Sequence, residues 1–194
     1  MAYKQHFIEW FSGKQLPSYL YNQSFSGGTS GMEDEIDGGF FLQKNAQANG
    51  GSALSFNTGI RPFSNTGSAI HMVMKGSQTS DCQLNAGLSD TKGSQTNCML
   101  FYHANAVGSG YYTLTTAGNA ANSFTATATA IDTNWHHHFL EQKSASAEYS
   151  IEDTLGATRT SNLSQADMML HIESYKLGTP VFKYNIRYLE IYNT

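Results

Sequence analysis

The sequence predicts an all-β domain, a sandwich of two antiparallel sheets of the jelly-roll kind. Its middle consists of short runs in which apolar and polar residues alternate, which is typical of strands with one buried face. Clusters of Gly, Asn, Ser and Asp separate these runs at intervals of about 8–15 residues, as turns do in sandwiches and jelly rolls. Only 13% of the residues are charged, so the strong helix formers Lys, Glu and Arg are scarce.

No shift in composition divides the chain, and 194 residues are a usual length for one all-β sandwich. We therefore expect a single jelly-roll domain over residues 1–194, in which residues 1–30 form either an N-terminal arm or the first strand region. A strand is expected at Gly39–Leu42, after a polar turn. Three glycine pairs are interpreted as turns, since a phosphate-binding loop needs a helix after it: Gly27-Gly28, Gly38-Gly39 and Gly50-Gly51.

Two segments show the alternation most clearly. In Cys82–Ser89 the apolar residues all fall on even positions, and in Phe124–Ala130 they alternate with a ladder of threonines on the opposite face. Further strands are expected at Ala69–Lys75, Asn97–His103, Tyr111–Thr116, Asn134–Gln142, Glu148–Glu152, Ala157–Ser161 and Met168–Tyr175.

The last strand changes its pattern part-way. Aromatic and apolar residues share one face from Phe182 to Tyr188, and the apolar positions then slip to Leu189 and Ile191. Such a slip predicts a β-bulge or a strand that is covered on both sides.

The charge balance limits the partners. The net charge is −4 and the pI is about 5.9, whereas nucleic-acid binding needs a basic surface. No segment approaches the about 20 apolar residues that cross a bilayer, so no membrane partner is expected. The first residues, Met1–Phe7, lack the apolar segment of a secretory signal peptide. An extracellular role then needs another exit, such as release in a virus particle on lysis.

Cys82 and Cys98 are the only cysteines. Turn residues lie between them, so they could form a disulfide across neighbouring strands. The alternative is a pair of small buried apolar residues. Two cysteines without nearby partners do not predict a zinc site.

Two neighbouring segments carry a resemblance to a known superfamily. The run Asp132–Glu141 has the pattern D-x-x-W-H-x-h-x-h, and Glu148–Asp153 is similar to the hairpin partner Y-x-I-D-G, with Asp153-Thr154 taken as its closing pair. Both resemble the concanavalin A-like lectin and glucanase superfamily, which includes laminin-G-like domains and implies a jelly roll. The resemblance assigns a structural motif to Trp135, His136, Tyr149 and Asp153.

The two ends of the chain show a more diffuse likeness. Trp10–Gly13 and Arg187–Thr194 resemble the opening W-F-x-G and the closing R-Y-x-E-x-Y-N-T of uncharacterised lectin-like proteins of phages and other viruses. The resemblance implies a structural protein of a virus particle.

The histidine triplet suggests a metal site that has to be weighed. Residues i and i+2 of a strand share a face, so Trp135, His137 and Phe139 face one way and His136, His138 and Leu140 the other. Two imidazoles alone make a weak site, and further ligands would have to come from elsewhere, such as His103 or His171. We prefer the alternative in which one histidine at the sheet edge is hydrogen-bonded and its neighbours are solvated, and we expect no metal.

The acidic run Glu33–Asp37 is the one segment that hints at catalysis. The glucanases of the resembled superfamily use a strand motif similar to E-[hydrophobic]-D-x-x-E, with one carboxylate as nucleophile and another as acid/base. Glu35-Ile36-Asp37 matches its first three positions, but Gly38-Gly39-Phe40 follows and the last glutamate is missing. We therefore expect a solvated turn and no catalytic residue, with calcium on these carboxylates as an alternative.

The expected function is that of a virion structural protein: a capsid decoration, head fibre or tail-associated jelly roll with glycan-binding capacity. Expected partners are other virion proteins, copies of the chain itself arranged as a trimer, and surface glycans. A free extracellular carbohydrate-binding lectin-like module is the alternative, and a glucan hydrolase with a degenerate site is a third. The sequence assigns no ligand-binding residue, and we expect no cofactor, with calcium as the alternative.

Overall fold

The computed structural model describes residues 6–12, 15–33, 38–47, 50–56, 61–79, 82–91, 96–104, 110–118, 123–176 and 180–194. These residues form fifteen strands. None of the described residues belongs to a helix that could cross a membrane. The strands are β1 His6–Trp10, β2 Leu20–Phe25, β3 Gly28–Glu33, β4 Gly39–Lys44, β5 Gly50–Phe56, β6 Ser68–Gly76, β7 Gln83–Ser89, β8 Cys98–Ala104, β9 Gly110–Thr116, β10 Ser123–Ala130, β11 His136–Gln142, β12 Ala147–Ile151, β13 Thr154–Arg159, β14 Met169–Lys176 and β15 Phe182–Asn193.

The strands form two antiparallel sheets, as the alternation predicts. The first sheet has the order β13-β12-β11-β6-β15-β4-β3. The long strand β15 pairs with β4 through residues 182–186 and with β1 through residues 188–192. The second sheet has the order β10-β9-β8-β7-β14-β5-β2. Neighbours in each sheet are often distant in sequence, so the long connections between the sheets, rather than hairpins alone, define this sandwich.

One apolar core fills the space between the sheets. It contains Phe40, Leu42, Ile70 and Met72 from the first sheet, and the second sheet contributes residues such as Leu84, Ala86, Leu170 and Ile172. These side chains alternate along their strands, so the residues between them must point to the outer faces. Both outer faces are therefore defined by the same pattern that builds the core.

The predicted strands of the middle and the C-terminal half are confirmed, with ends that shift by a few residues. The slip in the last strand is a β-bulge, because the pairing of β15 with β6 changes register between Ile186 and Tyr188. Within residues 1–30 the described part contains β1, β2 and the beginning of β3.

The interpretation of the three glycine pairs as turns is confirmed for Gly27 and Gly38 and wrong for the other glycines, which lie in strands where backbones approach closely. Gly28, Gly39, Gly50 and Gly51 belong to β3, β4 and β5. A Cβ on Gly28 would lie 1.6 Å from the carbonyl oxygen of Gly51, an approach that only glycine permits.

The threonine ladder of β10 faces the opposite way from that expected. Thr127 is buried and donates its hydroxyl to the Tyr111 carbonyl at 2.9 Å, whereas Ala126 is exposed. Arg159 reaches Thr125 from β13. These polar contacts at the end of the sandwich favour the inward position of threonine over that of the small alanine.

The two cysteines are free thiols, which corrects the disulfide alternative. Cys82 precedes β7 and lies in the core between the sheets, whereas Cys98 begins β8 and packs with Leu100 and Leu114 on the other face of the second sheet. The pairing of Ser89 with Cys98 places the cysteines at opposite ends of the β7–β8 hairpin. About seven residues of strand, or about 20 Å, separate them, far beyond disulfide reach.

Candidate functional site

A group of three polar side chains occupies the middle of the outer face of the second sheet. His171 and Glu173 are on β14, and Asn85 is on the neighbouring strand β7, where it pairs directly with Glu173. Their neighbours Ile172 and Ala86 are buried in the core, so alternation places the three polar residues on the outer face. We call Asn85, His171 and Glu173 the polar cluster.

Hydrogen bonds and charge hold the carboxylate of the cluster. The Asn85 amide nitrogen donates to Glu173 Oε2 at 3.0 Å. His171 Nε2 lies 3.7 Å from the same oxygen, a contact that is electrostatic rather than a hydrogen bond. Burial acts to raise the pKa of Glu173, but His171 and Asn85 outweigh it and hold that pKa below its usual value. Glu173 is therefore an ionised acceptor and not a proton donor at neutral pH.

Two buried polar atoms of the cluster have no hydrogen-bond partner among the described residues. They are Asn85 Oδ1 and His171 Nε2, on side chains that are almost fully buried. An unpartnered buried polar atom costs about 1–3 kcal/mol, and such atoms are rare in native proteins. Here one atom accepts and the other donates or accepts, so both keep an unused hydrogen-bonding capacity, but the exposed member of the cluster is Glu173, with 16% of its side chain accessible.

Tyrosines flank the cluster along one row of the sheet. The register aligns Glu173 of β14 with Asn85 of β7, then Tyr102 of β8 and Tyr112 of β9. Tyr102 is half-buried, and burial raises the pKa of its hydroxyl. Tyr175 lies two positions beyond Glu173 on the same face of β14. The row thus combines a charged acceptor with aromatic rings.

The predicted acidic site lies elsewhere. Glu33 ends β3 at the edge of the first sheet, where Lys183 and Asn185 bind its carboxylate. Glu35, Ile36 and Asp37 lie outside the described residues, so calcium on this run stays a prediction. Within the described part of the chain, no group of three or more His, Cys, Asp or Glu could hold a metal ion.

The histidine triplet is divided among three environments. His136 lies between Asp132 and Glu152, at 2.7 and 3.0 Å, His137 is on the outer face, and His138 is buried in the core. The backbone N–H of Asn134 donates to Asp132 and that of His137 donates to Glu152, and these bonds, together with those to His136, hold the pKa of both carboxylates below the usual range. The predicted alternation of faces along β11 is confirmed.

The two histidines considered as further metal ligands are separated by the second sheet. His103 lies in the core, where its Nδ1 is 3.0 Å from the Tyr184 hydroxyl and 3.3 Å from Cys82 Sγ. His171 is in the polar cluster on the outer face. His103 and His171 therefore lie on opposite faces of the second sheet and cannot both join one site with the triplet.

The remaining residues of the predicted structural motif serve the sandwich. Tyr149 is buried and donates its hydroxyl to the Leu114 carbonyl at 3.0 Å, which joins the two sheets. Trp135 lies on the outer face of the first sheet between Lys75 and Arg187, whose cations are 4.7 and 4.3 Å from its ring centroids. Asp153 is in the turn between β12 and β13.

Sequence reasoning missed the polar cluster, although one signal for it exists. His171 and Glu173 are two titratable residues at i and i+2 around a core isoleucine, which marks a polar outer face. The pairing of β14 with β7 joins residues almost ninety positions apart, and no sequence pattern specifies that pairing.

Solved structures with the same architecture identify the fold. One described as a native glycosidic hydrolase superposes with a TM-score of 0.70 at 10% identity, over 96% of this chain and 95% of that one. The Bacillus licheniformis β-glucanase gives 0.66 at 11% identity, over 97% and 98%. The fold of the chain is therefore the concanavalin A-like jelly roll. The carbohydrate recognition domain of Emp47p shares this jelly roll, with a TM-score of 0.68 at 8% identity over 97% and 94%.

No family model and no curated protein matches the chain. At identities near 10%, likeness to other concanavalin A-like jelly rolls establishes the architecture alone. The chemistry of the site therefore depends on the residues of this chain.

Proposed function

We propose that the chain is a carbohydrate-binding module without hydrolytic activity, and that its ligand lies across the outer face of the second sheet. The observation that carries this proposal is the polar cluster, in which an ionised Glu173 lies beside two buried atoms that have no described partner. Sugar hydroxyls both donate and accept hydrogen bonds, so they suit the charged acceptor Glu173, which Asn85 and His171 hold at the surface of the cluster with 16% of its side chain exposed.

The row of the sheet supports an extended ligand. Strands are about 4.8 Å apart, so the row from Glu173 to Tyr112 is about 14 Å long, which suits an oligosaccharide rather than a single sugar. Tyrosine rings present apolar faces to the C–H faces of sugar rings and keep a hydroxyl for hydrogen bonding. The glycosidic hydrolase and the carbohydrate recognition domain that share the fold make a glycan the natural class of ligand.

The described residues of this face do not supply the pair of carboxylates that glycoside hydrolysis uses. Such pairs lie about 5–5.5 Å or about 6.5–9.5 Å apart, and one member has a raised pKa. Among the described strand residues of the outer face, Glu173 is the one carboxylate, and its pKa is lowered. This favours binding without cleavage.

A glycan array followed by calorimetry on the strongest hit tests the proposal. Glu173→Gln should weaken binding about 10–100-fold, because a hydrogen bond to a charged group contributes about 1.5–3 kcal/mol. Glu148→Gln is the matched control, since Glu148 is on the first sheet beside Lys143, and it should bind as the wild type does. Equal affinity of Glu173→Gln and wild type, or release of reducing ends from the bound glycan, contradicts the proposal.

We further infer that this module works in a virus particle, outside the cell. The support is the viral resemblance of the two chain ends, which the fold brings together: β1 pairs with β15, and the ring centroids of Trp10 and Tyr188 are 4.4 Å apart. Mass spectrometry of purified particles should detect the chain at a stoichiometry like that of other structural proteins. Its absence from the particles, together with glycan binding by the free protein, favours a free lectin-like module instead.

A further inference from the structure

The outer face of the first sheet carries a band of aromatic rings that the proposed glycan site does not use. Trp10, Tyr188, His71 and His137 follow one another across β1, β15, β6 and β11. Their successive ring centroids are 4.4, 5.2 and 5.2 Å apart. We call these four residues the aromatic band.

The end of the band at β1 is exposed and apolar. Trp10 is 61% exposed, and Ile8, two positions away on the same face, is 48% exposed. Trp, Tyr and aliphatic side chains in one patch are typical of protein interfaces, whereas a sugar site would not need an exposed isoleucine beside its aromatic ring. The patch therefore favours a protein partner.

Along the strands of this face, cations lie at one end and carboxylates at the other. Lys75 and Arg187 lie at one end, against Trp135. Asp132 and Glu152 are also at this end, where both bind His136, which is on the opposite side of β11 from His137. At the other end, Glu141 and Glu148 share the single cation of Lys143. Glu141 pairs with Ala69 of β6. Ala69 and Lys75 are six residues apart on that strand, so the two ends of the face are separated by about 20 Å.

We propose that this face binds the same face of a second copy of the chain, about a two-fold axis that lies in the interface and runs across the strands. This axis reverses the strand direction, so Lys75 of each copy lies beside Glu141 of the other. A two-fold axis parallel to the strands would instead place Lys75 against Lys75 and is disfavoured. The charge pattern thus selects one of the two arrangements.

The same axis also matches the apolar residues. The axis keeps β1 of one copy opposite β1 of the other and reverses its direction, which exchanges the positions of Ile8 and Trp10. Trp10 of one copy therefore packs on Ile8 of the other. Such an interface is isologous and closes at two copies, whereas a cyclic trimer needs two different surfaces. The face is about 20 Å long, which places the contact at the small end of specific interfaces and implies reversible association.

Sedimentation velocity over a wide concentration range tests the interface on the full chain. We expect a reversible monomer–dimer equilibrium, with Trp10→Ala weakening dimerisation about tenfold or more, as truncation of a central interface Trp does. Val181→Ser is the control, because Val181 is equally exposed at 50% but lies beyond the patch.

A charge exchange gives the sharper test. Lys75→Glu and Glu141→Lys should each weaken dimerisation about tenfold, and the double variant should regain most of the wild-type affinity, because it restores opposite charges across the axis. A monomer at every concentration, a trimer, or single and double variants that are equally impaired would overturn the proposal. Glycan binding through the second sheet can persist in each of these outcomes, so the two proposals fail separately.

Discussion

His138 lies in the core between the edges of two aromatic rings, with its ring centroid 5.0 Å from that of Phe101 and 4.8 Å from that of Tyr111. Both of its ring nitrogens are buried without a hydrogen-bond partner among the described residues. Burial lowers its pKa to about 3, and the neighbouring histidines act in the same direction. The folded protein therefore keeps this imidazole neutral over most of the accessible pH range.

We expect stability to fall as the pH is lowered from 8 to 5. The unfolded chain binds a proton at His138 below its ordinary pKa of about 6.5, whereas the folded chain does not do so until about pH 3. The unfolded state then binds more protons, and the free energy of unfolding decreases by about 2 kcal/mol between pH 8 and 5. Denaturant unfolding at a series of pH values measures this slope.

The variant His138→Leu isolates the effect. The pKa of His71 is also lowered and adds to the slope in both proteins, so the difference between them reports His138. We expect the variant to lose most of the pH dependence between 5 and 8. An unchanged slope would show that another group binds the proton.

The candidate site illustrates how far single residues can be interpreted. The sequence marks Trp135 and Tyr149 through a local pattern, and the fold places Tyr149 in the core and Trp135 on the outer face of the first sheet. Asn85 carries no such mark, because its meaning comes from Glu173 across a strand pair that sequence order does not specify. A site assembled from distant strands needs the topology before its chemistry can be interpreted.

At the scale of elements, the hairpin β12–β13 shows why a turn pattern can be misaligned. Glu152 and Asp153 both have positive φ, 51° and 58°, and form the two-residue loop between the strands. This is the type I′ geometry, in which glycine is favoured at the second position. The glycine of the resembled motif therefore corresponds to Asp153 and not to Thr154, which begins β13; the closing pair predicted from sequence is wrong by one residue.

Asp153→Gly should stabilise the protein by about 0.5–1 kcal/mol, because glycine adopts the left-handed conformation without the steric cost that aspartate has. Thr154→Gly is the control: it places glycine in a strand and should destabilise by a similar amount. Thermal unfolding of the three proteins measures both changes. Destabilisation by Asp153→Gly would contradict the assigned turn.

Strand prediction succeeded where alternation reflects one buried face, as in β11, and also in β7, whose polar residues alternate with core residues although both of its faces are buried. It missed β2, in which only Leu20 is fully buried, since polar residues occupy both faces of this edge strand. It misjudged β10, because the threonines there bond to core groups and take the inner face. Edge strands depend on hydrogen-bond partners from other elements, and these partners are not encoded locally.

At the scale of the whole molecule, we expect one cooperative unfolding transition, which also tests the prediction of a single domain over residues 1–194. The core is continuous from Phe11 near the first strand to Ile191 in the last, and both sheets contribute to it. Calorimetry should give equal van't Hoff and calorimetric enthalpies. Two resolved transitions, or core variants in the two sheets that shift different transitions, would contradict a single domain.

The pairing of β1 with β15 has a consequence for how the chain reaches this fold. His6 and Glu190, which contact each other across the two strands, are 184 positions apart. On a ribosome, β1 emerges well before its partner, so this part of the sheet closes only after the strands between them have been made. Such non-local pairing gives a high contact order and slow folding. Until then the nascent chain exposes Phe7 and Phe11, which pack in the core of the folded protein and with which the unfinished chain would aggregate or recruit a chaperone.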